Sequence, residues 1–122
     1  MLLNSFFFIN SVRATRDEIK ASLHLEKLHP IFGGHFPGKP VVPGVCMLQM
    51  IKEVIEKQEG KNYFLQEASS LKFISVLDPE ACSEVESTIL IERRNEDSIQ
   101  INGTIFAGSV TFFKMKATLK RV

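Results

Sequence analysis

GGHFPGKPVVPGVCMLQMI, residues 33–51, is a rigid loop that runs without a linker into an apolar segment. Pro37, Pro40 and Pro43 fix φ and withhold their N–H groups, so neither a helix nor a central strand can pass through this stretch. From Pro43 onward the signals are helical. A proline suits the first turn, and Val45, Leu48, Ile51 and Ile55 recur near helical spacing, with Met47, Met50 and Val54 beside them. The first two turns are apolar nearly all round, which predicts burial on all sides. The later turns, KEVIEKQEGK, keep one polar face. Glu53 and Lys57 are spaced for an i,i+4 pair, and Gly60 is a stop signal. A helix is therefore expected from residue 43 to about 58.

On either side of this segment the chain reads as sheet. Residues 6–13 are apolar or β-branched enough for a strand, and RDEIK offers a turn at Arg16 and Asp17. IKASLHLEKL then alternates, with Ile19, Ala21, Leu23 and Leu25 on one face and Lys20, Ser22, His24 and Glu26 on the other. The loop over residues 28–43 holds four of the five prolines and is expected to carry no regular structure. After the helix come SLKFISVL, EVESTILIER, SIQINGTIFA and VTFFKMKATLKR. Turn signals separate the last three at Asp78-Pro79, Asn95-Glu96-Asp97 and Gly108-Ser109. Val85, Ile89 and Ile91 share one face of their strand. Phe113, Met115, Ala117 and Leu119 share one face of the last, with lysines opposite. Short turns between consecutive strands imply antiparallel pairing. One apolar helix and a sheet apolar on one face predict an α+β fold in which the sheet wraps the helix.

With 122 residues, the chain fits one domain, residues 1–122. A hydrophobic fraction of 44% and a charged fraction of 24% are those of an ordinary globular protein. The net charge of +1 argues against bulk nucleic-acid binding. The one local excess, Lys114, Lys116, Lys120 and Arg121, reads as a solvated strand face. Cys46 and Cys82 form no metal-ligand or CxxC spacing, and reduced thiols of a cytoplasmic protein are the expectation. MLLNSFFFIN lacks a basic start and is too short to span a membrane, so no membrane partner is expected. The Asn102-Gly103-Thr104 sequon has no meaning in a cytoplasmic protein.

Three residues of the opening stretch are candidates for chemistry. His35 sits between glycines that let backbone approach a ligand closely, in a loop that prolines hold rigid. A lone histidine is more often structural, and His24 and His29 keep that reading. Gly44 opens the helix, where unpaired amides and the positive end of the helix dipole suit a carbonyl oxygen that gains charge. Gln49 places an amide inside an apolar run. It is either tied to neighbouring backbone or faces a cavity.

The same residues resemble the signature of the β-hydroxyacyl-acyl-carrier-protein dehydratases of the hotdog fold: His-Phe-Pro, a short spacer, Pro-Val-Met-Pro-Gly-Val, then an acidic residue on the helix. The match is dense over residues 29–45, and SLKFISVLDPE is similar to the strand and turn that follow the helix. The chain is shorter at its N-terminus than is usual in that family, so an N-terminal helix is expected to be missing. The resemblance implies that His35 removes the C2 proton of a 3-hydroxyacyl thioester and that the Gly44 amide binds the thioester carbonyl. Phe36, Pro37 and Val45 join Gly44 as substrate contacts. The resemblance implies no cofactor and no metal. It also implies an acyl carrier protein as the bearer of the substrate and a site formed between subunits. A homodimer or higher even oligomer is expected, with residues 63–73 pairing across the two-fold axis.

One position departs from the pattern. The acid that protonates the departing hydroxyl falls fourteen residues after the histidine, where this chain has Gln49. Glu53, one turn further along the helix, stands where the family often has glutamine. The polar pair is exchanged. An amide cannot deliver a proton as a carboxylic acid does. Glu53 is then either a displaced acid acting through water or a partner for Lys57. Three functions follow: a dehydratase, a hotdog thioesterase that positions water with an amide, or an acyl-binding subunit paired with a paralogue that supplies the acid. The His-Phe-Pro-Gly loop speaks against the thioesterase. The Phe36-Pro37 bond is expected to be cis.

Overall fold

The structure is a computed structural model, and it describes residues 1–33 and 40–122. Strands β1 (Phe7–Ala14) and β2 (Glu18–Leu25) form the expected hairpin. Thr15 closes its turn, the side-chain hydroxyl oxygen accepting from the Asp17 and Glu18 amides at 3.3 and 3.1 Å. Ile19, Ala21, Leu23 and Leu25 all point into the core, as their alternation predicts.

The expectation that residues 28–43 carry no regular structure needs one correction. Pro30–Phe32 form a single 3-10 turn. Proline at its start has the right φ already, and the His29 ring caps it, Nδ1 accepting from the Ile31 amide at 3.1 Å. His29 is thus structural.

The helix α1 (Gly44–Glu59) begins one residue after Pro43 and ends at Gly60, whose left-handed φ of 64° only glycine adopts without strain. Four strands follow: β3 (Tyr63–Phe73), β4 (Glu84–Arg93), β5 (Ser98–Ala107) and β6 (Val110–Arg121). Those from β4 onward match the expected segments residue for residue. The third begins seven residues before SLKFISVL and stops at Phe73. Its pairing with β6 shifts register twice, between Leu65 and Glu67 and between Ala68 and Ser70. These bulges break the alternation by which a strand is read from sequence.

All six strands pair antiparallel in one sheet of order β1-β2-β4-β5-β6-β3. The helix packs on strands from both edges, β1 and β3, as well as on β5 and β6 near the centre. A sheet that reaches one helix from both edges must curl around it. This is the hotdog arrangement. Gly103 on β5 allows a close approach, because a Cβ there would come within 2.9 Å of Ile51 Cδ1.

The helix is not buried on all sides. Cys46, Met47, Met50, Ile51, Val54 and Ile55 lie in the core, but Val45 is 72% exposed and Leu48 only half-buried. One curled sheet covers one side of a helix, and the Val45–Leu48–Lys52 side is left open. Strand β3 is bare as well. Among the described residues it pairs only with β6, and Phe64, Leu65, Leu71 and Phe73 stand exposed along it.

At the far end of α1, Glu59 ties three elements together. Its carboxylate accepts from Arg93 of β4 at 2.7 Å and from the Tyr63 hydroxyl of β3 at 2.5 Å, while Arg93 also donates to the Arg16 carbonyl at 2.9 Å. Burial would raise the Glu59 pKa, but the hydrogen bonds from Arg93 and Tyr63 and the Arg93 charge outweigh it and hold the carboxyl below its ordinary range. A depressed carboxylate pKa stabilises the fold above the unfolded value, and that contribution is lost as pH falls through the folded one. Tyr63 moves the opposite way: burial and the neighbouring Glu59 carboxylate push its pKa up to about 12. The chain has one tyrosine and no tryptophan, so tyrosinate absorbance reports this group alone. An ultraviolet pH titration of the folded protein should give a midpoint near 12; a midpoint near the ordinary ~10 would contradict the network.

Candidate functional site

The site is built at the N-terminus of α1. Pro43 is extended (φ −62°, ψ 145°) and contributes no side-chain cap. Its carbonyl accepts from the Cys46 and Met47 amides at 3.0 and 3.2 Å, which start the helix. Among the described residues the Gly44 and Val45 amides have no acceptor. These two donors carry the positive end of the helix dipole. The approach to them is fixed from outside the helix, where the Val42 amide donates to the Leu77 carbonyl at 2.9 Å.

Phe73, the last residue of β3, lies directly over Gly44. A Cβ on Gly44 would sit 2.2 Å from Phe73 Cε1 and 2.8 Å from Cζ. The ring is itself held by Phe113, centroids 5.3 Å apart, and remains 59% exposed. Val41, Pro43, Gly44, Met47, Phe73 and Val76 line an apolar cleft of about 270 Å³ against the helix start. Its chemistry is that of a place for a carbonyl oxygen with an apolar tail beside it.

Val45 is exposed at the mouth of this end of the helix. Gln49 follows one turn later and is half-buried. Its Nε2 donates to Glu53 Oε2 at 2.7 Å. Glu53 is 1% exposed and does not pair with Lys57 as its spacing suggested. Its partners lie at the other end of the chain: Oε1 accepts from the Leu2 and Leu3 amides at 2.9 and 2.8 Å, and Oε2 from Leu2 at 2.9 Å. A carboxylate within an apolar core recruits fixed backbone donors, whereas a lysine on the solvent side gains more from water.

His35, Phe36 and Pro37, together with the Phe36-Pro37 bond, lie outside the described residues. Of the expected site residues the structure therefore places Gly44, Val45, Gln49 and Glu53 on one helix. His24 is accounted for structurally: its Nδ1 lies 2.6 Å from Glu84 Oε1 across the β2–β4 pair. Burial pushes the Cys46 thiol pKa up, which leaves it a poor nucleophile. Three participants carry no clear signal in the sequence. Phe73 reads as an ordinary strand residue, although an apolar residue on the open side of an edge strand hints at contact. Leu2 and Leu3 act through backbone amides, which no side-chain pattern reveals.

A curled antiparallel sheet around one helix defines a hotdog domain, here with an aromatic ring over the helix start. The chain belongs to the ApeI-like family, described as ApeI dehydratase, whose profile matches residues 11–107. A 3-hydroxyacyl-[acyl-carrier-protein] dehydratase FabZ of Rickettsia bellii is 28% identical over 92 residues, covering 66% of this chain and 63% of its own length. The chain thus spans somewhat less than two thirds of that curated relative. Among solved structures, the dehydratase heterocomplex ApeI:P from Xenorhabdus doucetiae superposes with a TM-score of 0.69 at 18% identity, over 93% of this chain and 97% of its own. A candidate thioesterase of Silicibacter gives 0.62 at 13% identity, over 95% of this chain and 78% of its own. At such identities the solved structures speak for the fold. No helix among the described residues is long and apolar enough to cross a membrane.

Gly44→Ala should destabilise the protein by about 1–3 kcal/mol, the usual cost of overpacking, because the Phe73 ring must move. Adding Phe73→Leu should recover most of the loss in chemical denaturation. Full stability of the single variant would show that the ring does not lie over the helix start.

Proposed function

We propose that the protein is a dehydratase of 3-hydroxyacyl thioesters presented on an acyl carrier protein. The observation that carries this reading is the pair of amides at Gly44 and Val45 that have no acceptor among the described residues, next to an apolar cleft and shortly after His35 in the sequence. The Gly44 amide receives the thioester carbonyl oxygen as it gains enolate charge. His35 takes the C2 proton, the general-base role that an imidazole fills at neutral pH. Gln49 holds the 3-hydroxyl. The C2–C3 double bond forms as the C3–O bond breaks, and the departing oxygen needs one proton to leave as water. Gln49 cannot give it.

For that reason the isolated chain is a slow enzyme, and a partner subunit that brings a carboxylic acid raises its rate. The ApeI-like family membership and the dehydratase names of the relatives support the reaction class. A solved neighbour that is itself a heterocomplex supports the second half of the reading. Like subunits would meet along β3, whose free edge and exposed apolar side chains call for a second strand. The protein should be a dimer at micromolar concentration by light scattering. A monomer would remove both the interface and the shared site.

The functional test is hydration and dehydration of a carrier-bound 3-hydroxyacyl chain by the protein alone and with a paralogous dehydratase subunit. His35→Ala should lower the rate by about 10²–10⁴ and leave the melting temperature unchanged. Full activity in that variant would end the dehydratase reading.

A further inference from the structure

Glu53 is the one charged side chain among the described residues that is fully buried, and the reaction proposed above has no use for it. Its surroundings are specific. The first residues fold into a tight turn in which the Leu2 carbonyl accepts from the Phe6 amide at 2.8 Å and Asn4 takes a positive φ of 72°. Asparagine is among the few residues that tolerate this conformation. The turn aims the Leu2 and Leu3 amides at the carboxylate. With Gln49 as the remaining donor, both oxygens of Glu53 are occupied by N–H groups.

This constrains Gln49 more than it constrains Glu53. An amide has one face that donates and one that accepts, and an ionised carboxylate only accepts. Opposite Glu53, Gln49 can present only its NH2 group. Its carbonyl Oε1 is left pointing away from Glu53, and among the described residues nothing donates to it. We infer that Glu53 is a positioning residue: with the Leu2–Leu3 turn it locks the Gln49 amide so that a carbonyl oxygen, an acceptor, faces the open side of the helix. The group held there is one that donates a hydrogen bond. If the dehydratase reading is right, that group is the 3-hydroxyl of the acyl chain; this last clause alone rests on that reading. The locked amide favours binding of the hydroxylated substrate over its departure as water.

The test reads the amide directly, so that it does not depend on turnover. In the nitrogen-15 NMR spectrum of the native chain, the Gln49 side-chain NH2, assigned with Gln49→Met, should show two widely separated protons, one of them shifted downfield and slow to exchange with solvent. Glu53→Gln should collapse that separation to the value of free glutamine. Should Glu53→Gln not fold, deletion of residues 1–3, which removes the Leu2 and Leu3 donors, serves instead: the separation should shrink and exchange should quicken. The exchanged double variant, Gln49→Glu with Glu53→Gln, restores one carboxylate and one amide on the same turn. Its introduced glutamine should show the wide separation again. A free-glutamine signal in the native chain, or a signal that neither change alters, overturns the inference. On the kinetic side, Glu53→Gln should raise KM for a 3-hydroxyacyl thioester about tenfold more than KM for the dehydrated product. A native chain with the predicted NMR signature that is inactive both alone and with a paralogous dehydratase subunit would refute the dehydratase reading and leave the locked amide standing.

Discussion

A carboxylate inside an apolar core must be fully hydrogen-bonded, and Glu53 imposes that condition on this protein. It lies on the one helix, among Met50, Ile51, Val54 and Ile55. An unpaired charge in that place would cost several kcal/mol, a large part of the stability of a domain this size. The solution draws on three separate parts of the chain. The N-terminal turn supplies two amides, the helix supplies Gln49, and the sheet closes around the rest. The consequence reaches the functional end of the helix, because Gln49 sits one turn from Val45 and the free amides. Residue 49 is therefore held by the core on one side and open to a ligand on the other.

The rest of the fold serves to present that helix. Gly103 lets the sheet come close under Ile51, and the Glu59–Tyr63–Arg93 network anchors the opposite end to β3 and β4. The helix start is then the part free to carry chemistry. Pro43 leaves it uncapped, Phe73 roofs it, and His35 precedes it in the sequence. In the β-hydroxyacyl dehydratases this stretch resembles, the acid stands at the position of Gln49. Here the acid is one turn deeper and engaged with backbone, so on the proposed reading the helix keeps the binding elements and offers no free proton donor among the described residues.

Much of this was legible in the sequence, and the exceptions have physical causes. The last three strands matched because their alternation is clean, and the helix ends matched because Pro43 and Gly60 mark them. Alternation showed β3 only from Ser70 onward because two bulges disturb its period, although the segment expected to pair, residues 63–73, has its bounds. Val45 was expected in the core because an apolar residue looks the same whether a sheet or a partner covers it. Lys57 was assigned to Glu53 on spacing, which says nothing of burial. The Leu2 and Leu3 amides could not be foreseen, since every residue has one. The motif at residues 33–51 pointed to the site and to the exchanged pair, but not to what holds the pair in place.

The central claim is that the site binds like a dehydratase and lacks only a proton donor. Its most direct test is the dehydration rate of Gln49→Glu on a carrier-bound 3-hydroxyacyl chain, compared with the native homomer. The new carboxyl would stand within hydrogen-bond distance of Glu53, and like charges so placed favour a protonated form of one of the two. The account predicts a gain of about 10² or more, the usual worth of a general acid. An unchanged or lower rate in a variant that folds and binds substrate would contradict it.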